Sequence, residues 1–185
     1  MEFYYLRLFL MFLIPLLTSL LVTPQVIKMA HHINAIDVPK DERRVHTKPM
    51  PRIGGLAIYI SFLLAILLFG NFSKELLSIV IASFIIIILG LFDDVKPVPA
   101  KIKFLLHIIS ASIVVLYGNL LISNIGILGF TINLGYYAIP LTILFIVSCM
   151  NIINLIDGLD GLATGISSIY FLTIIVISFK KDLEH

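Results

Sequence analysis

The chain has 185 residues, 59% of them hydrophobic and 13% charged, with a mean hydropathy of +1.08. A soluble domain carries about 25% charged residues, so this much apolar surface cannot be hidden in one small core and a water-soluble globule is excluded. A single cysteine, Cys149 in an apolar run, excludes a disulfide framework and a cysteine-built metal site and reads as a small buried hydrophobe. The class is a polytopic membrane protein, in which the net charge of +2 matters less than where the charges fall.

In chain order, the opening MEFYYLRLFLMFLIPLLTSLLV has no basic lead and no small-residue cleavage site. It reads as a retained span over 3–22 rather than a cleaved signal peptide. Further apolar runs at 53–69, 76–92, 104–122, 137–150 (continuing to about 155) and 162–179 bring the expectation to about six transmembrane helices. Several are short, so tilt or burial in a bundle is expected. Residues 123–135 (SNIGILGFTINLG) partly alternate apolar with polar and read as a short extracytoplasmic hairpin or irregular loop. The expected fold is all-α, membrane-integral and a single polytopic domain over 1–185.

Lysines and arginines alternate by connection. The first loop holds Lys28, Lys40, Arg43, Arg44, Lys48 and Arg52, the next only Lys74, the third Lys96, Lys101 and Lys103, and the fourth none. By the positive-inside rule the odd loops face the cytoplasm and the N-terminus faces out. Lys180 and Lys181 run against this pattern, while parity puts the polar stretch after 150 on the cytoplasmic side as well. Three polar loops are thus expected on one membrane face.

The first, HHINAIDVPKDERRVHTKPMPRIGGLAIY (31–59), is punctuated by Pro39, Pro49, Pro51, Gly54 and Gly55 and is expected to be non-helical. Arg43, Arg44, His46, Lys48 and Arg52 can all hold phosphate oxygens. Arg52 ahead of two glycines suggests close backbone approach to a helix or to a phosphate. The plainer alternative is a positive-inside loop with helix-packing glycines. His31 and His32 read as interfacial histidines rather than metal ligands.

The second loop, GLFDDVKPVPAKIKF (90–104), sets Asp93 and Asp94 at the end of an apolar span, where negative charge opposes the helix dipole. A cation or a proton-transfer role must compensate. The plain version is an ion pair with Lys96, Lys101 or Lys103. His107, one turn into the next span, is either a functional group or a structural polar contact.

In the third, NIINLIDGLDGLATG (151–165), Asn151, Asn154, Asp157 and Asp160 recur every third residue. Three residues advance an α-helix to about 60° short of a full turn, so a continuous helix would put Asn151 and Asp160 on opposite faces. The two Asp-Gly pairs supply the break. A helix should end near Ile156, with a tight loop following and Asp160 capping the next helix. Asn154 and Asp157 then stand at the helix end as hard oxygen donors of the kind that suits Mg²⁺. The alternative is turn chemistry alone, which leaves the two asparagines in the apolar run unexplained.

Three blocks, DVPKDERRVHTKPMPRIGG (37–55), GLFDDVKPVPAKIKF (90–104) and NIINLIDGLDGLATGI (151–166), together resemble the polyprenyl-phosphate N-acetylhexosamine-1-phosphate transferases of glycosyltransferase family 4 type. Muramoyl-pentapeptide phosphotransferases are cousins. The resemblance runs over nearly the whole chain. It implies transfer of a sugar 1-phosphate, N-acetylglucosamine 1-phosphate first among the candidates, from a UDP-N-acetylhexosamine to polyprenyl (undecaprenyl) phosphate, releasing UMP. It implies a magnesium cofactor, with Mn²⁺ the alternative, and work at the cytoplasmic face of the plasma membrane in cell-envelope polysaccharide synthesis.

By position, Asp93 and Asp94 resemble the family's catalytic acidic pair, and Asn154 and Asp157 its metal site. Asp160, His46, Arg52, Lys48 and Arg43 resemble its substrate contacts. The implied partners are the nucleotide sugar, the lipid phosphate and the bilayer, with a homodimer open and no nucleic acid. Family members also carry spans and motifs downstream of this chain's last residue, so it is expected to be the N-terminal portion of a larger fold. Competing readings are a catalytically incompetent truncated homologue, a non-enzymatic cation-binding membrane protein, and a CDP-alcohol-type phosphotransferase. The basic first loop argues against the cation carrier, and the last type's longer run of spaced aspartates on one helix is missing.

Overall fold

The first helix, α1 (Glu2–His32), runs 31 residues, about 46 Å at 1.5 Å per residue. That is well beyond the roughly 30 Å of bilayer hydrocarbon. Hydropathy marks only 3–22, and tertiary packing carries the helix further. Val26 and Ala30 in the last turns are buried with Ala35, Ile53 and Ala57, forming the small core at this end of the molecule. His31 and His32 are therefore the basic last turn of a helix, which corrects the expectation of a wholly non-helical first loop. The computed structural model describes residues 2–37, 50–127, 130–157 and 161–183.

After α1 the chain turns through Asn34 at φ 56°, a left-handed conformation that asparagine tolerates. A two-residue strand β1 (Ile36–Asp37) then pairs antiparallel with β2 (Met50–Pro51), Ile36 opposite Pro51 and Asp37 opposite Met50. The Arg52 N–H donates to the Ala35 carbonyl at 3.0 Å and extends this stem. The two ends of the basic first loop are thereby held together, and Ile53, 1% exposed, plugs the stem onto α1.

Helix α2 (Gly55–Phe69) returns antiparallel to α1, with Arg7 donating to the Phe69 carbonyl at 3.0 Å. A cation there also complements the negative end of the α2 dipole. Helix α3 (Lys74–Val95) starts at Ser73, whose hydroxyl accepts the Leu76 N–H at 3.3 Å, with Glu75 in the first turn, both favourable at a helix N-terminus. Helix α4 (Ala100–Ser112) packs on α3 and continues as one π-helical turn, Ile113–Tyr117. Four helices of the described residues, α1, α3, α4 with its π turn and α5 (Ala138–Ile156, extended by a 3₁₀ turn at Gly135–Tyr137), are long and apolar enough to cross a membrane. Helix α6 (Leu162–Leu183) is the fifth, and α2 is a shorter apolar helix. Large apolar side chains such as Leu67, Leu116 and Leu144 stand 60–68% exposed. A protein in water avoids contiguous surfaces of that kind, and one in lipid needs them. The chain is an all-α membrane protein.

Residues 124–133 form the anticipated hairpin. β3 (Asn124–Ile127) pairs with β4 (Phe130–Asn133), Asn124 opposite Asn133. By contacts the chain divides into two compact units, Met1–Leu144 and Phe145–His185. In the first, the Ile122 N–H donates to the Thr142 hydroxyl at 3.0 Å, fixing the start of α5 to the segment after α4.

The α3–α4 seam uses small residues. Ser78, Ala82, Ser110 and Ala111 are each at most 4% exposed, and small side chains let helix backbones approach closely in a bilayer. At Gly118 the approach leaves no room, since a Cβ there would overlap the Ser78 side chain and the Val114 carbonyl. Gly118→Val should therefore lower stability by about 1–3 kcal/mol, read from thermal unfolding in detergent. Gly90→Ala on α3, where nothing lies within 4 Å of the added methyl, should be neutral or slightly stabilising through helix propensity. Equal losses at the two glycines would contradict the seam.

Candidate active site

The C-terminal turn of α3 carries Asp93 and Asp94, and residues 96–99 bring the chain round into α4. Pro97 and Pro99 prevent the helix from running on, because each lacks the N–H that the helix ladder requires. The loop folds back over Asp93. The Asp93 carboxylate accepts the Val98 N–H on Oδ1 at 2.8 Å and the Lys103 ammonium on Oδ2 at 2.6 Å. One side chain thus ties the end of α3 to the connecting loop and to the first turn of α4. The cation needed to offset a carboxylate at a helix C-terminus is Lys103, one of three expected candidates.

The Arg52 guanidinium, which follows the β1–β2 stem, lies close enough to Asp93 to act on it electrostatically. The first and second polar loops therefore meet at one end of the α1–α4 unit. Asp94 and His107 are partly buried, and each makes interactions of its own. Of the remaining first-loop residues named above, Arg43, His46 and Lys48 lie outside the described residues, as does Asp160.

In the second unit, α5 ends at Ile156, where the sequence placed its end. The Asp157 N–H still donates to the Ile153 carbonyl at 3.2 Å. Gly161 has φ +74°, a backbone conformation that favours glycine, and α6 begins directly after it. The Asn151 amide donates to the Val147 carbonyl one turn back at 2.7 Å. Asn154, on the last turn of α5, and Asp157, just past its end, are exposed. Cys149 is free and only partly buried, less enclosed than its apolar context implied. Among the described residues, no three His, Cys, Asp or Glu side chains gather closely enough to hold a metal by themselves.

The sequence offers Lys103 as one of three lysines able to pair with the acids, without singling it out. It looks like one more positive-inside lysine, and its partner lies ten positions earlier, beyond hydrogen-bonding range along a helix. The available signal is the pair of prolines, which forces a reversal between the acid and the base. The pair is about one-third exposed on both sides, so its contribution is on the order of 1 kcal/mol or less. The Val98 N–H adds a separate term. Asp93→Asn keeps an acceptor for Val98 and loses the charge, whereas Asp93→Leu loses both. Thermal unfolding should rank wild type above Asp93→Asn above Asp93→Leu, with about 1–3 kcal/mol lost in the last. An Asp93→Leu protein as stable as the wild type would contradict the clasp.

Comparison with known proteins bears on what this arrangement serves. The profile of glycosyl transferase family 4 matches residues 76–185. A Bacillus subtilis (strain 168) protein, named a probable undecaprenyl-phosphate N-acetylglucosaminyl 1-phosphate transferase, is 42% identical over 176 residues, covering 94% of this chain and 49% of that protein. A Mycolicibacterium smegmatis decaprenyl-phosphate N-acetylglucosaminephosphotransferase is 36% identical over 169 residues, 85% of this chain and 41% of its own. A Wolbachia pipientis wMel phospho-N-acetylmuramoyl-pentapeptide-transferase is 33% identical over 152 residues, 74% of this chain and 47% of its own. The chain spans about half the length, or less, of these relatives. With the profile match covering more than half of its residues, the chain belongs to glycosyl transferase family 4.

Proposed function

We propose that the chain forms part of a phosphoglycosyl transferase that moves a sugar 1-phosphate from a UDP-N-acetylhexosamine to a polyprenyl phosphate. N-acetylglucosamine is the sugar favoured by the relatives' names. The observation that carries this reading is the Asp93–Lys103 pair at the end of α3, with Arg52 within electrostatic reach of it, on residues that lie in the family-like blocks. An oxygen of the acceptor phosphate attacks the sugar-bearing phosphorus. A new P–O bond forms, the bond to the bridging pyrophosphate oxygen breaks, and UMP leaves.

Several anions must come together in such a reaction, and side-chain cations placed in advance stabilise the charge that develops. Arg52 is suited to this, with Arg43, His46 and Lys48 of the same loop as further phosphate contacts and Asp160 as a contact to the nucleotide sugar. The acceptor monoester is already largely ionised near neutral pH, its second pKa being about 6, so Asp93 need only take up a residual proton. Both Asp93 oxygens are engaged. Each oxygen accepts one hydrogen bond, which leaves lone pairs free for that proton. Asp94 completes the acidic pair.

Asn154 and Asp157, exposed oxygen donors at the end of α5, suit a hard cation that keeps several waters, and they are the residues that would hold Mg²⁺ or Mn²⁺. The cation would supply charge neutralisation to the phosphates. The first two loops are assigned to the cytoplasmic face by their lysine and arginine content, and the loop after α5 by parity.

The test is UMP release from UDP-N-acetylglucosamine and polyprenyl phosphate in membranes, for this chain and for a form extended downstream to its relatives' length. The extended form should turn over with Mg²⁺, lose activity in EDTA and recover when Mg²⁺ is returned. Asp93→Asn should lower turnover about 10²–10⁴-fold while the protein stays folded. Full activity in Asp93→Asn would remove Asp93 from the chemistry, and no release from a folded extended form would overturn transfer from this donor.

A further inference from the structure

Asp93 holds Lys103 from one side, and the other side of the lysine is set by α4 itself. Lys103, His107, Ser110 and Ala111 step by three and four along that helix, so they share one strip of its surface. The strip faces α3, and at its deeper end Ser110 and Ala111 are fully buried. His107 lies half-buried between the clasp and this dry seam, one turn deeper than Lys103. It is within electrostatic reach of the Lys103 ammonium.

A lysine ammonium has three N–H donors, and Lys103 gives one of them to Asp93. Donors turned toward the 96–99 loop can reach water, as those of lysines near a helix end do. A donor turned the other way, along α4 into the span, needs an acceptor from the protein. Residues 76–92 of α3 include no Asp, Glu, His, Asn or Gln. The hydroxyls of Ser78 and Ser83 are turned to carbonyls of α3 itself. The side chain at that depth able to take the donor is His107, since a neutral imidazole has one nitrogen that accepts.

We infer that His107 is a positioning residue of the acidic centre, its neutral imidazole taking a second N–H of Lys103 and holding the ammonium against Asp93. The lysine is then fixed from both sides and cannot swing out to water, and the Asp93 carboxylate keeps one orientation. His107 itself touches no substrate. The effect on phosphate transfer rests on the transferase reading, whereas the holding of Lys103 does not.

The test reads Lys103 directly. The purified chain in phosphatidylcholine nanodiscs is acetylated with a limiting dose of an N-hydroxysuccinimide ester, and each lysine's rate is followed by mass spectrometry. No nucleotide sugar, lipid phosphate or metal is added. Lys96 and Lys101, both exposed, serve as internal standards. Lys103 should react more slowly than either, and Asp93→Asn should release it. His107→Leu should raise the Lys103 rate about tenfold, the effect of losing one hydrogen bond to a charged group, and leave Lys96 and Lys101 as they were. His107→Gln, whose carboxamide oxygen accepts the same N–H, should keep the wild-type rate. In the extended form His107→Leu should lower kcat for UMP release about tenfold with KM for the nucleotide sugar unchanged, and His107→Gln should restore most of it.

Thermal unfolding in detergent checks that each variant is folded, and His107→Met replaces His107→Leu if the latter is not. An unchanged Lys103 rate in the folded apolar variant, or an equal rise in His107→Gln, would overturn the assignment. So would rates that rise together at Lys96, Lys101 and Lys103, which would mean a loosened helix end. Release of Lys103 by His107→Leu in a protein whose extended form yields no UMP would count against the transferase reading and leave the holding of Lys103 standing. Full kcat in His107→Leu with Lys103 released would remove His107 from phosphate transfer.

Discussion

The structure around the candidate site depends on one carboxylate. At the end of α3 a negative charge is unfavourable by the helix dipole, yet Asp93 sits there with both oxygens bonded, one to the Val98 N–H and one to Lys103. The two prolines that stop α3 create the loop, and Asp93 gives that loop its shape. Three consequences share this origin. The start of α4 is brought beside the end of α3, the connecting loop is folded back over the acid, and Lys103 is held at the turn. Replacing Asp93 by a neutral group of another shape would disturb all three at once.

The second constraint comes from the first loop. Its basic segment is long, but the β1–β2 stem and the buried Ile53 hold its two ends against α1. Arg52 leaves that stem within electrostatic reach of Asp93. The placing of Arg52 therefore rests on the stem itself. It follows from the short strand pairing and from a core of small residues, where Ala30, Ala35 and Ala57 allow close approach.

Much of this was legible in the sequence, and the rest has identifiable reasons. Spans, the hairpin near 123–135 and the end of α5 at Ile156 follow from hydropathy, alternation and Asp-Gly turn chemistry, all of which are local. The extension of α1 to His32 was not legible, because Val26 and Ala30 are held helical by residues more than twenty positions away in the case of Ile53 and Ala57. The π turn at Ile113–Tyr117 and the tight fit of Gly118 against Ser78 likewise arise from helix–helix packing, which no window of sequence reports. At the site, the acids and Arg52 stood out as residue types out of place in a membrane. Lys103 was one of three candidate partners and did not stand out, because a lysine beside an apolar span is ordinary and which lysine pairs is set by the fold.

The central claim is that Lys103 and Asp93 act as one unit, the lysine positioning the carboxylate that the proposed phosphate transfer uses. A double-mutant cycle on Asp93→Asn and Lys103→Met, read as kcat and KM for UMP release by the extended form, tests it most directly. If they act as a unit, the double variant should lose little more in kcat than the worse single variant. Losses that simply multiply, or a Lys103→Met protein impaired in KM alone, would contradict it.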